Sequence, residues 1–122
     1  MAYDEALAQR VRETLRNRRG ITERKMFGGL AFMLRGHMFV GISERSLMAR
    51  VGPQNYEHAL PMADVREMDF TGRPMRGYVF VGPNGLKSPA ALKRWVQLCA
   101  DFVATLPPKA IKRAAPLKRK FP

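Results

Sequence analysis

Between residues 26 and 51 the apolar residues come in three short runs, each closed by a turn sequence. Residues 30–34 (LAFML) are followed by Arg35-Gly36-His37. Residues 38–42 (MFVGI) are followed by Ser43-Glu44-Arg45, and residues 47–51 (LMARV) by Gly52-Pro53. Such runs are shorter than ordinary helices, and short turns between them join neighbours antiparallel. Leu30, Phe32 and Leu34 alternate with Ala31 and Met33, so both faces of the first run are apolar. The stretch therefore commits the chain to an antiparallel meander, with residues 22–25 as a further short strand ahead of it. Gly28-Gly29 opens the meander and reads as backbone geometry, a tight turn or a close approach.

Helical spacing lies on both sides. Asp4 is a good N-cap, and Leu7, Val11 and Leu15 form one apolar stripe, which predicts a helix over residues 4–17 before Gly20. Pro53 suits a first helical turn, and Tyr56, Ala59 and Leu60 predict a short helix over residues 53–60. Residues 65–70 read as extended and residues 75–81 as a strand. Ser88-Pro89 then opens a helix in which Leu92, Trp95, Val96, Cys99, Phe102, Val103 and Leu106 recur at three and four residues, until Pro107-Pro108 stops it. The expected class is α+β: two layers, an antiparallel sheet of four to five strands, with N-terminal and C-terminal helices.

The 122 residues fit one domain, expected over residues 1–106. Lys and Arg number 22 against 10 Asp and Glu, a net charge of +12. Half of that excess lies in residues 107–122, where Lys109, Lys112, Arg113, Lys118, Arg119 and Lys120 stand among four prolines with no acid. This segment is expected to be a flexible tail. It reads either as a phosphate-binding arm, which would release counterions from nucleic acid, or as a solubilising terminus. Arg16, Arg18 and Arg19 form a second basic cluster in the body. No apolar run approaches the roughly 20 residues of a membrane span, and the acidic start Met-Ala-Tyr-Asp-Glu is unlike a secretory leader. A cytoplasmic location is expected. One cysteine excludes an internal disulfide, and two histidines cannot form a dense metal cluster, so neither cofactor nor metal is expected.

No motif for catalysis emerges. Gly28-Gly29 lacks phosphate-loop spacing, and after Gly82-Pro83-Asn84-Gly85 the residues Leu86-Lys87-Ser88-Pro89 intervene before the helix. His37 falls at a hairpin turn, where it should be exposed, and His58 sits beside Glu57 on the short helix. Cys99 lies on an apolar stripe as a small core residue. Asp64, Glu67 and Asp69 are the one acidic cluster, interrupted by Arg66. A non-enzymatic protein is expected. The eight methionines can mark an adaptable surface, but their alternation favours the core for most of them. Arg76-Gly77-Tyr78-Val79-Phe80-Val81 echoes only part of an RNA-recognition motif, and the aromatics are expected to cover the core rather than stack on bases.

Several of these segments, taken in order, resemble the TfoX/Sxy family. Arg24-Lys25-Met26-Phe27-Gly28-Gly29 looks like the opening of its N-terminal domain. The hairpin over residues 30–42, the strand Leu47-Met48-Ala49-Arg50-Val51, and Gly72-Arg73-Pro74-Met75 with Gly77-Tyr78-Val79-Phe80-Val81 match in order. The helix with Leu92, Trp95 and Val96 completes the likeness over residues 5–107. The chain is read as a stand-alone N-terminal domain, with no room for the C-terminal domain of full-length members. The resemblance implies an antiparallel sheet flanked by helices in a bacterial, cytosolic regulator of competence genes that acts with the cyclic-AMP receptor protein. It assigns no catalytic or DNA-contact residue. The expected function is a regulatory, transcription-associated accessory protein that contacts DNA, RNA polymerase or a DNA-bound regulator. The alternative is a protein-interaction module whose charge is incidental. Lys109, Lys112, Arg113, Lys118, Arg119 and Lys120 are the first candidates for nucleic-acid contact, and Arg16, Arg18 and Arg19 the second. A homodimer through a sheet edge is left open.

Overall fold

A computed structural model describes residues 3–26, 28–69 and 74–107. The first helix, α1 (Glu5–Thr14), starts where Asp4 accepts the amide N–H groups of Ala6 and Leu7, at 2.9 and 3.3 Å. It stops short of residue 17. The Leu15 N–H is shared between the carbonyls of Val11 and Arg12 at 3.2 and 3.1 Å, which tightens the last turn, and Leu15 itself leaves helical geometry.

Six strands follow rather than four to five: β1 (Ile21–Met26), β2 (Gly29–Leu34), β3 (His37–Ser43), β4 (Ser46–Arg50), β5 (Val65–Asp69) and β6 (Pro74–Val81). Helix α2 (Pro53–Ala59) stands between β4 and β5. A 3₁₀ turn (Pro83–Leu86) leads to α3 (Pro89–Ala104). The strand that takes the count past five is β1, which includes the short segment expected over residues 22–25, and its four central residues Thr22, Glu23, Arg24 and Lys25 are exposed. Its polar sequence carries little apolar alternation. It is a strand because its backbone completes the ladder of β2, from Ile21 opposite Leu34 to Met26 opposite Gly29.

The sheet is antiparallel throughout, in the order β1-β2-β3-β4-β6-β5. The meander β1 to β4 is local, but β6 rather than β5 lies beside β4. Val79 and Val81 of β6 stand opposite Ala49 and Leu47, extending one apolar face. The charged strand β5 (VREMD) takes the outer edge, where charge discourages further pairing.

All the helices described pack on one face. That face carries Leu30 and Phe32 of β2, Val40 and Ile42 of β3, Leu47 and Ala49 of β4, and Val79 and Val81 of β6, brought side by side by the register. Above it lie Leu92, Trp95, Val96, Cys99 and Val103 of α3, Leu7 and Val11 of α1, and Tyr56 and Ala59 of α2. Helix α3 begins at Ser88, whose Oγ accepts the Ala91 N–H at 3.0 Å, with Pro89 in its first turn.

Candidate functional site

The six basic candidates of the tail, Lys109, Lys112, Arg113, Lys118, Arg119 and Lys120, lie outside the described residues. Arg16, Arg18 and Arg19 follow the C-terminal end of α1. Arg16 and Arg19 are exposed and Arg18 is half-buried. Together with Glu13, Thr14 and Asn17, Arg16 and Arg18 line a shallow recess of about 410 Å³. Cations at this place also complement the negative end of the α1 dipole. Arg16 is partly answered by Glu13 at 3.3 Å.

The tertiary structure ties this cluster to the start of the tail. The backbone N–H of Arg35, in the β2–β3 turn, donates to the carbonyl of Gly20 at 3.4 Å. Two residues on, the Nε2 of His37 lies 2.8 Å from the carbonyl oxygen of Pro107. The β2–β3 hairpin thus touches both the end of the segment bearing Arg16, Arg18 and Arg19 and the point where the basic tail begins. Arg35 is exposed there and adds a fourth cation. Among the described residues, this end of the sheet brings Arg35 to the end of the segment that bears Arg16, Arg18 and Arg19. His37 is half-buried rather than fully exposed, because its ring closes on Pro107.

The remaining titratable groups have structural explanations. Cys99 is fully buried beneath α3, and burial pushes its thiol well above the usual range, which suppresses the reactive thiolate. Asp64 adopts a positive φ of 60°, and its carboxylate accepts the Asn84 N–H at 2.9 Å, fastening the 3₁₀ turn to the α2–β5 connection. Arg66 lies 4.6 Å from the centroid of the Phe80 ring. Glu67 occupies the helix side of β5 opposite Val79. The Tyr56 hydroxyl is buried and its pKa is raised, first by burial and then by the nearby Glu67. His58 is exposed on α2. Among the described residues no group of three or more His, Cys, Asp and Glu could hold a metal ion.

The methionines depart from the sequence reading. The core under the helices contains none of those described. Met26, Met33, Met38, Met48 and Met68 stand on the other face of the sheet, and Met62 is exposed. Each of the first five is one position out of step with the Leu, Val and Phe residues of its strand or its paired strand. A single residue is enough to change faces.

Among known families, the model of the TfoX N-terminal domain matches residues 13–103. It takes in the sheet, α2 and nearly all of α3, and stops before the basic tail. No curated protein and no solved structure matches the chain.

Proposed function

Because this chain belongs to the TfoX N-terminal domain family, we propose that it is a small regulatory accessory protein, transcription-associated, that works by contact with other macromolecules rather than by catalysis. The observation that carries this reading beyond membership is the basic end of the sheet. Arg16, Arg18 and Arg19, with Arg35, sit by the hairpin that touches Pro107, after which the sequence continues into Lys109, Lys112, Arg113, Lys118, Arg119 and Lys120. Nucleic acid is the partner such a cluster fits, because each neutralised phosphate releases condensed counterions. The location this implies is the bacterial cytoplasm. Among the described residues no helix is long and apolar enough to cross a membrane.

Binding of the full-length chain to labelled duplex DNA across a salt series tests the reading. Six tail contacts would give a log–log salt slope of about −5, on top of any contribution from the body. Truncation after Pro107 keeps the His37 contact and should flatten the slope by about that amount. Absence of binding at low salt would remove direct DNA contact and leave RNA polymerase or a DNA-bound regulator as the partner. The second reading, a protein-interaction module of unrelated role, is favoured if a defined protein co-purifies equally well without residues 108–122.

A further inference from the structure

The sheet has two faces, and the described helices cover one. Five methionines stand on the other, spread from one edge strand to the other. Met33 stands opposite Met38, Gly41 opposite Met48, and Met48 opposite Phe80, while Met26 and Met68 lie on the two edge strands. A Cβ at Gly41 would collide with the Met48 Cε, so that side chain lies across the glycine and widens an apolar floor. Met48 and Met68 are fully buried, while Met26, Met33, Met38 and Phe80 are half-exposed. Methionine is unbranched and polarizable, and a surface built from it adapts to the side chains of a partner.

The charges around this floor select the partner. Exposed Arg24 stands on this face at one edge strand, β1, and exposed Arg66 at the other, β5. Across β1 to β4 and β6 no Asp or Glu occupies a position on the face, and Glu67 of β5 stands on the helix side. A second copy would bring arginines to arginines with no carboxylate to answer them. Base stacking is disfavoured because the rings are already engaged: Arg66 lies over Phe80 at 4.6 Å and Arg50 over Tyr78 at 5.5 Å. Five strand spacings separate β1 from β5, roughly 24 Å, which is the length of about 16 helical residues.

We propose that the methionine face docks an amphipathic acidic segment of a partner protein. Its apolar side chains rest on Met33 and Met38, and its carboxylates reach Arg24 and Arg66. This rests on the reading that the protein acts by macromolecular contact, and it assigns a second surface, away from the basic tail.

The test uses the full-length chain with ¹³C-labelled methionine methyls and a synthetic amphipathic peptide of about 16 residues, leucines along one face and glutamates at both ends. The Met26, Met33 and Met38 methyl signals should move saturably, while Met62, exposed on the α2–β5 connection, stays fixed. Combining Arg24→Ala with Arg66→Ala, both at exposed positions, should weaken binding about tenfold. Met33→Ser should weaken it as well, with an unchanged denaturant midpoint reporting an intact fold. Unmoved methyls, or an equal response to the same peptide with lysines for glutamates, would overturn the proposal. So would the same methyls answering single-stranded oligo-dT instead, which would make the face a nucleic-acid surface. A peptide response without DNA binding would defeat only direct DNA contact; DNA binding without a peptide response would defeat only this inference.

Discussion

Arg12 of α1 grips Glu23 of β1 with two hydrogen bonds, Nε to Oε2 at 2.7 Å and Nη2 to Oε1 at 2.9 Å. The same guanidinium reaches Glu5 at 3.0 Å. The pair joins the first helix to a strand whose central residues are otherwise exposed. The bidentate hydrogen bond holds the Glu23 carboxyl below the ordinary glutamate range.

Arg12→Ala should cost about 0.5–1 kcal/mol, since both side chains are partly exposed and solvent screens the pair. A carboxyl with a lowered folded-state pKa contributes stability that is fully present above its unfolded value, about 4.3. That contribution is lost as pH falls through the folded value. Urea midpoints of wild type and Arg12→Ala should therefore differ at pH 7 and converge in strong acid. A constant difference down to acid pH would show that Arg12 acts by packing alone.

Gly29→Val should destabilise the sheet by about 1–3 kcal/mol. A Cβ at Gly29 would collide with the Ile42 carbonyl oxygen in the neighbouring strand. Gly28→Val meets a different obstacle, a φ of 71° that a β-branched residue resists. Denaturant midpoints check both, and an unchanged midpoint for either would contradict a backbone role.

Cys99 should be inert in the native state. Its side chain is fully buried and its thiol is pushed above the usual range. Labelling by a thiol reagent at neutral pH should proceed only as fast as the protein opens, and should accelerate in denaturant. Cys99→Ser should cost about 1–3 kcal/mol by burying a hydroxyl in an apolar site. Rapid labelling of folded protein would refute the packing role.

Replacing Arg16, Arg18 and Arg19 together by Ala tests the described half of the basic surface. If each touches one phosphate, the DNA salt slope should flatten by about 3. Because Arg16 and Arg19 are exposed, the melting temperature should stay nearly unchanged. An unchanged slope would leave the tail as the sole electrostatic contact.

Much of the local structure was legible in the residues themselves. Asp4 and Ser88 set two helix starts through their own side chains, the alternation over residues 30–51 produced the meander, and the three-and-four spacing from Leu92 to Val103 produced α3. These signals are local, because capping and periodicity act within a few residues. The ordered motifs also resembled the family whose model matches residues 13–103. The polar strand β1 was harder to read, since its pairing with β2 comes from backbone groups that every sequence carries.

What only the tertiary structure decided is which partners distant segments find. Placing β6 beside β4 depends on burying Val79 and Val81 next to Ala49 and Leu47. The helices chose the Leu-Phe-Val face, leaving the methionines one residue out of phase on the other. Gly20, Arg35, His37 and Pro107 meet only because β2 and β3 fold back between α1 and the end of α3. The sequence determined how much positive charge the chain carries and the elements it lies on. Long-range burial and strand pairing, which no local period encodes, decided that part of the charge gathers at one end of the sheet and which face of the sheet the described helices cover.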